Sequence, residues 1–146
     1  ITHQTGKSDK SRLKEFYSKL DSEIRVESFI EDIGEAYKEA DLIVSRAGAM
    51  TLSEIIAMKK PSILLPLPWA TDNHQFLNAT YLKELGAADI VISEEKNSYE
   101  LALLISNLAS DKEKRLSMSN SAKLAFIPEV AKQIFIQINE SIEEKS

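Results

Sequence analysis

The sequence predicts an α/β fold built on a doubly wound parallel sheet. Short apolar runs alternate along the chain with amphipathic segments of about ten residues. Two of these runs, residues 42–44 and 62–65, lack polar alternation, which is typical of strands buried on both faces. Parallel neighbours need a long crossover between them, and the amphipathic segments are long enough to supply one. With 146 residues, 43% of them hydrophobic, the chain can form the core of one domain, and we expect a single domain.

The first forty residues are predicted to form strand, helix, strand and helix. The chain opens on Ile1 with no initiator Met and reads as the end of a strand, so we expect a piece of a longer protein. Apolar side chains spaced i, i+3, i+4 and i+7 predict an amphipathic helix over residues 8–20. Alternation predicts a strand over residues 24–29, and a short helix is predicted over residues 34–40.

The remaining elements continue the alternation. Helices are predicted from Thr51 to about residue 58, ended by Pro61, and from about residue 73 to 85. Gly86 is placed to end the second of them in the left-handed conformation. Residues 89–93 predict a strand, and residues 98–143 predict two or three helices, broken near 110–111 and at Pro128.

Composition argues against several classes of function. A net charge of -5 and a pI near 5.1 argue against nucleic-acid binding, because a reader of the phosphate backbone needs a basic face. The chain has no Cys, and its two histidines, His3 and His74, lack the spacing of metal ligands, so we expect no metal. The absence of Cys fits a reducing cytoplasm, so we expect an intracellular, cytoplasmic protein. No run approaches the ~20 apolar residues of a membrane span and the N-terminus lacks the pattern of a signal peptide, so we expect the chain to be soluble. Lys7 lies in a Gly-Lys-Ser run, but Ile1 stands where a P-loop needs its first Gly.

The main candidate site is the turn between the strand at 42–44 and the next helix. Gly48 tolerates positive φ and lets a ligand approach the backbone. The first N–H groups of the following helix have no intrahelical partner, and the helix dipole favours an anion there. The planar guanidinium of Arg46 can donate further N–H hydrogen bonds to the same anion. The turn therefore predicts a site for the phosphates of a nucleotide.

Two simpler interpretations compete with this one. Thr51 and Glu54 have the spacing of a capping box, with Thr51 as N-cap, which would stabilise the helix by about 1 kcal/mol. Arg46 could form a surface ion pair. The position favours the phosphate site, because ligands of doubly wound sheets bind at the carboxyl ends of strands.

At this turn the chain resembles a known family. Residues 45–54, with Phe-Ile-Glu-Asp-Ile at 29–33, Asp-Asn-His-Gln at 72–75 and Asn78-Ala79, resemble the C-terminal domain of the MurG family of glycosyltransferase family 28. The similarity runs from His-Gln-Thr-Gly-Lys at 3–7 to near the C-terminus. That family transfers N-acetylglucosamine from UDP-GlcNAc to lipid I, forming lipid II for peptidoglycan. It has the GT-B fold of two Rossmann-like domains, of which the C-terminal one holds most of the donor.

The resemblance implies that residues 1–146 are the Rossmann-like, UDP-sugar-binding C-terminal half of a GT-B fold. The acceptor-binding N-terminal domain, with the lipid I site and the general base, would lie outside this chain. The intact enzyme would be an inverting, metal-independent transferase without a cofactor, peripheral on the cytoplasmic face of the membrane. The isolated chain would be inactive, and no nucleic acid is expected as a partner.

The resemblance also implies a role for individual residues. The Ile30 backbone would lie against uracil, the segment around Thr51 against the diphosphate, and Glu54 against the ribose hydroxyls, which a carboxylate can accept in pairs. Arg46 would stabilise the leaving group. A simpler role remains open for three of these residues. Ile30 could pack in the core, His74 could cap a helix, and Asn78 could have a structural role. The implied donor-binding set is Ile30, Gly48, Ala49, Met50, Thr51, Leu52, Ser53, Glu54, His74 and Gln75.

The sequence also departs from the family pattern. Ala47 and Met50 stand where many relatives have Ser and Leu, and the glycine-rich loop that precedes residues 3–6 in the family is not in this sequence. Two other functions stay open. One is the donor-binding part of another GT-B UDP-sugar transferase or of an epimerase, and the other is a non-catalytic module paired with a membrane partner.

Overall fold

The computed structural model describes residues 1–67, 73–92 and 98–126, in which every paired strand is parallel. The chain divides into two compact units, residues 1–40 and residues 41–146. Helices separate successive strands in both units, as the α/β prediction requires. Within the described ranges, no helix is both long enough and apolar enough to cross a membrane.

The first unit contains β1 (Thr2–Gln4), α1 (Lys10–Tyr17), β2 (Arg25–Glu27) and α2 (Ile33–Glu39). The two strands pair in register with Gln4 opposite Glu27. The pairing extends past the strands, since the Thr5 and Gly6 amides donate to the carbonyls of Glu27 and Ser28 at 2.8 and 3.1 Å. The carboxyl ends of both strands are therefore held together by backbone hydrogen bonds.

The second unit contains β3 (Ile43–Ser45), α3 (Ala49–Ala57), β4 (Ser62–Leu64), α4 (His74–Glu84), β5 (Ala88–Ile90), α5 (Ser98–Ser110) and α6 (Lys112–Ala125). The strand order is β3-β4-β5, and all three residues of the central β4 are buried, as predicted for a strand covered on both faces. The same prediction for β3 is wrong, because Val44 of this end strand is exposed. Ile63, Val91, Leu108 and Met118 form the core that packs the sheet against α5 and α6.

The boundaries differ from the predicted ones in ways that matter for the site. α3 begins at Ala49, two residues before the predicted start, so Thr51 is the third helical residue and Gly48 is the N-cap. The capping-box interpretation of Thr51 and Glu54 is therefore wrong. Gly86 has φ +76°, which confirms the predicted left-handed helix end. The predicted break at Pro128 and the helix after it lie outside the described residues.

Candidate functional site

The N-terminus of α3 presents backbone donors that the protein itself does not use. The first intrahelical hydrogen bond runs from the Leu52 amide to the Gly48 carbonyl at 3.0 Å. The amides of Ala49, Met50 and Thr51 precede it, and among the described residues none of the three has an acceptor. Met50 is 79% exposed, so solvent reaches this end of the helix. An anion could accept from these amides.

Among the described helices, α2 and α6 are each capped by a carboxylate, whereas α1, α3 and α4 have no side-chain cap. The Asp32 side chain accepts from the Glu35 amide at 2.9 Å at the start of α2. Asp111 does the same for the Lys114 amide at 2.8 Å at the start of α6. At the start of α3 the N-cap is Gly48, which has no side chain to offer. The helix that follows β3 thus lacks the acceptor that α2 and α6 carry.

Gly48 contributes by lacking a side chain rather than by an unusual backbone. Its φ of -68° and ψ of 148° lie in the extended region that any residue adopts, so the expected positive φ is not observed. A Cβ built on Gly48 would meet the Thr51 Oγ1 at 3.9 Å, an ordinary van der Waals contact. The fold would accept a larger residue, and the space beside the open amides is what glycine preserves.

Arg46 connects the ends of two neighbouring strands. Its Nη1 donates to the Leu65 carbonyl at 3.0 Å, which joins the residue after β3 to the residue after β4. The ion pair considered from the sequence is not observed with any carboxylate of the described residues. The guanidinium is exposed and keeps further N–H donors beyond the one that Leu65 uses.

Side chains from α4 fix the same edge of the sheet. The Asn78 Nδ2 donates to the Ala47 carbonyl at 3.1 Å, so the structural role considered for Asn78 is observed. The Gln75 Oε1 accepts from the Leu67 amide at 3.1 Å, which leaves its NH₂ group as a donor. His74 is exposed at the first position of α4. Residues after β3, residues after β4 and the start of α4 are thereby tied into one cluster.

The residues that follow Thr51 have unequal access to a ligand. Leu52 is only 6% exposed and its amide is used within the helix, so it offers no free polar group. The Ser53 hydroxyl donates to the Ala49 carbonyl at 3.0 Å, within the same helix. Glu54 is half-buried and, three residues after Thr51, lies on the same face of α3.

Ile30 belongs to the first unit, in the loop after β2. Its amide donates to the Gln4 Oε1 at 2.8 Å, and its side chain is half-buried rather than part of the buried core. The sequence analysis includes Gln4 only in the family similarity at residues 3–7. No local pattern predicts the hydrogen bond between Gln4 and Ile30, because the two residues are 26 positions apart. The backbone of Ile30 is therefore positioned by a side chain that the sequence analysis did not assign.

A family model agrees with this architecture. The glycosyltransferase family 28 C-terminal domain matches residues 1–134. The chain belongs to this family. The match covers the whole first unit and most of the second, and it includes every residue of the candidate site.

Two curated proteins that are similar to this chain carry the same name. A protein of Coxiella burnetii (strain RSA 493 / Nine Mile phase I) is 38% identical to this chain over 137 residues. A protein of Myxococcus xanthus is 42% identical to it over 134 residues. Both are named UDP-N-acetylglucosamine--N-acetylmuramyl-(pentapeptide) pyrophosphoryl-undecaprenol N-acetylglucosamine transferase. The alignments cover 94% and 92% of this chain but 38% and 35% of those proteins. The chain thus spans little more than a third of the curated relatives it matches.

Solved structures support the same fold. The crystal structure of Acinetobacter baumannii MurG superposes with a TM-score of 0.88 at 32% identity, over 96% of this chain and 42% of that one. A glycotransferase of kitacinnamycin superposes with a TM-score of 0.57 at 18% identity, over 84% of this chain and 30% of that one. At this identity the similarity supports only the fold. The predicted fold class, the Rossmann-like C-terminal half of a GT-B fold, is confirmed.

Proposed function

We propose that this chain binds the donor UDP-GlcNAc for transfer of N-acetylglucosamine to lipid I, forming lipid II in peptidoglycan synthesis. The observation that carries the proposal is the open N-terminus of α3, where the amides of Ala49, Met50 and Thr51 lack acceptors within the described chain. It lies after β3, at the edge of the sheet where doubly wound folds bind ligands. The names of the relatives supply the identity of the anion, the diphosphate of UDP-GlcNAc.

The diphosphate would accept from the amides that the open end of α3 presents. In an inverting transfer, an acceptor hydroxyl attacks the anomeric carbon of the sugar while the bond from that carbon to the β-phosphate oxygen breaks. Negative charge grows on the departing UDP, and oriented amides with a helix dipole stabilise that charge without a metal ion. The remaining donors of Arg46 would add to this stabilisation, since its bond to Leu65 holds the guanidinium beside the turn.

The other parts of the donor are assigned residue by residue from the family resemblance. Glu54 would accept the two ribose hydroxyls, and its place on the Thr51 face of α3 is consistent with that task. Gln75 would use its NH₂ group on the sugar, because its oxygen is already engaged by Leu67. His74 would contact the sugar as well. The Ile30 backbone, in the first unit, would meet the uracil.

The remaining functions of the enzyme require more protein than this chain. The relatives are more than twice as long as the aligned region, so we place lipid I binding, the general base and peripheral contact with the cytoplasmic membrane face outside residues 1–146. The chain would act as one donor-binding domain. By itself it would bind the nucleotide and transfer nothing.

Calorimetric titration of the chain with uridine, UMP, UDP and UDP-GlcNAc tests the proposal. We expect affinity to rise with each phosphate and UDP to bind with a Kd of ~0.1–1 mM, since only part of the cleft is present. Equal affinity for uridine and UDP would contradict the phosphate site. A parallel titration with UDP-glucose tests the sugar, and a preference for UDP-glucose over UDP-GlcNAc would favour another UDP-sugar enzyme.

A further inference from the structure

Met50 places an oxidisable sulfur beside the open amides of α3. It is the second residue of the helix, and its side chain is 79% exposed. Its own amide is one of the three that have no acceptor among the described residues. Side chains of a helix lean toward the helix N-terminus, so the thioether extends toward the side on which the amides would hold an anion. A chemical change of this side chain therefore takes place next to the candidate phosphate site.

Exposure distinguishes Met50 from the other two methionines of the chain. Met58 is half-buried at the C-cap of α3, about 12 Å farther along the helix axis. Met118 is only 1% exposed and belongs to the core. Because an oxidant must reach the sulfur, peroxide attacks an exposed thioether before a buried one. The exposed fractions therefore predict that Met50 is oxidised first.

We propose that Met50 is a reversible oxidation site whose sulfoxide weakens the binding of the donor's diphosphate. In the reaction, a sulfur lone pair attacks one oxygen of hydrogen peroxide, the O–O bond breaks, and methionine sulfoxide and water form. Sulfur is oxidised by two electrons, which reduce the peroxide, and a thiol-dependent methionine sulfoxide reductase reverses the step. The inference rests on the proposed function, because the affected amides are those assigned to the diphosphate.

The sulfoxide opposes a bound anion in two ways. Its oxygen carries partial negative charge and accepts hydrogen bonds, whereas the thioether is only a weak acceptor. The N-terminus of α3 attracts that oxygen for the same reason that it attracts a phosphate, since the amides and the helix dipole both favour negative charge. The oxygen also repels the phosphate oxygens that approach the same amides. Oxidation thus adds a competitor for the amides of Ala49, Met50 and Thr51.

Limited oxidation of the chain with hydrogen peroxide, followed by calorimetric titration with UDP, tests the proposal. Peptide mass spectrometry measures the sulfoxide fraction at each of the three methionines. We expect Met50 to be oxidised first and the Kd for UDP to rise about three- to tenfold, the equivalent of one lost hydrogen bond. Treatment of the oxidised chain with methionine sulfoxide reductase and a dithiol should restore the original Kd.

Two variants identify the methionine responsible, and each is compared with its own untreated sample. Met50→Leu has an apolar side chain of similar volume that peroxide does not oxidise, so its Kd should not change on treatment. Met58→Leu keeps Met50 and should lose affinity as the wild type does. Resistance of Met50 to peroxide, an unchanged Kd after its complete oxidation, or an equal loss in Met50→Leu would overturn the role of Met50 alone. Absence of UDP binding by the untreated wild type would overturn the proposed function and this inference with it.

Discussion

Replacing Gly48 with Asp should stabilise α3 and weaken nucleotide binding. Gly48 occupies the N-cap of α3 with φ -68° and ψ 148°, the conformation in which an Asp side chain accepts from the second or third helical amide. Its Cβ would make only an ordinary contact, 3.9 Å from the Thr51 Oγ1. The same chain already uses this arrangement at Asp32 and Asp111. A carboxylate at position 48 would therefore occupy the amides that we assign to the diphosphate.

The magnitudes follow from the two interactions that the carboxylate gains. An N-cap side chain is better than Gly by a few tenths of a kcal/mol, and a negative charge at a helix N-terminus adds about 0.3–1 kcal/mol. Gly48→Asp should thus raise the free energy of unfolding by about 0.5–1.5 kcal/mol, roughly 1–5 °C in Tm for a domain of this size. The diphosphate would have to displace the carboxylate and meet a like charge, so UDP affinity should fall more than tenfold, about 1.4 kcal/mol.

Thermal unfolding with and without UDP measures both effects on the same samples. The wild-type chain should gain Tm when UDP is added, whereas Gly48→Asp should begin higher and gain little. Gly48→Asn is the matched control, because it can cap the helix without the charge and should lie between the two. A Gly48→Asp chain that is more stable and still binds UDP as the wild type does would refute the use of these amides by the diphosphate.

Three other substitutions test the surroundings of the site and the stability of each unit. Asn78→Leu removes the hydrogen bond from α4 to the turn before α3 and should cost about 1–3 kcal/mol of unfolding free energy in urea, with weaker UDP binding. Ser62→Ala removes a fully buried hydroxyl that has no hydrogen-bond partner among the described residues, and it should raise the unfolding free energy by about 1 kcal/mol. A lower unfolding free energy would contradict this prediction. Hydrogen bonds from Arg25 and then Lys10 lower the pKa of Glu27 below its ordinary value of 4.5, so the stabilisation is present above 4.5 and is lost as pH falls through the lowered pKa. Glu27→Gln should flatten the unfolding free energy of the chain across that acidic range, and an unchanged slope would show that the ion pairs do not couple to folding.

The fold was predictable because its signals are local. Apolar runs at 42–44 and 62–65 indicate strands, and the observed β3 and β4 lie within one residue of them. Burial on both faces is confirmed for β4 but is wrong for β3, in which Val44 is 42% exposed. Gly86 ends α4 in the left-handed conformation because glycine has no Cβ and adopts a positive φ without steric cost. Parallel pairing followed from helices of sufficient length between the strands. These features depend on residues close together in the chain, so a single sequence contains them.

The start of α3 was predicted wrongly because two residues could each serve as its N-cap. Thr51 has the better side chain for a cap, and with Glu54 it has the spacing of a capping box. In the structure, the side chains of Leu52 and Ile55 are buried. In this orientation of the helix, the Leu52 amide donates to the Gly48 carbonyl. Tertiary packing thus extends the helix past the residue with the best local preference.

The bonds that shape the site were not predictable, since each joins residues far apart in the chain. The hydrogen bond between Asn78 and Ala47 spans 31 positions and that between Gln4 and Ile30 spans 26. Arg46 was expected to act on a ligand or in an ion pair, and its bond to the Leu65 carbonyl was foreseen by neither interpretation. Such pairs depend on how the strand ends come together, which no spacing along the sequence encodes.

The central claim is that the first amides of α3 hold the diphosphate of the donor. Amide chemical shifts of ¹⁵N-labelled chain, recorded during titration with UDP and separately with uridine, test it most directly. At saturating UDP we predict downfield proton shifts at Ala49, Met50 and Thr51, as their N–H groups donate to phosphate oxygens, and no such shifts with uridine. Saturation by UDP that leaves these three amides unmoved would contradict the account.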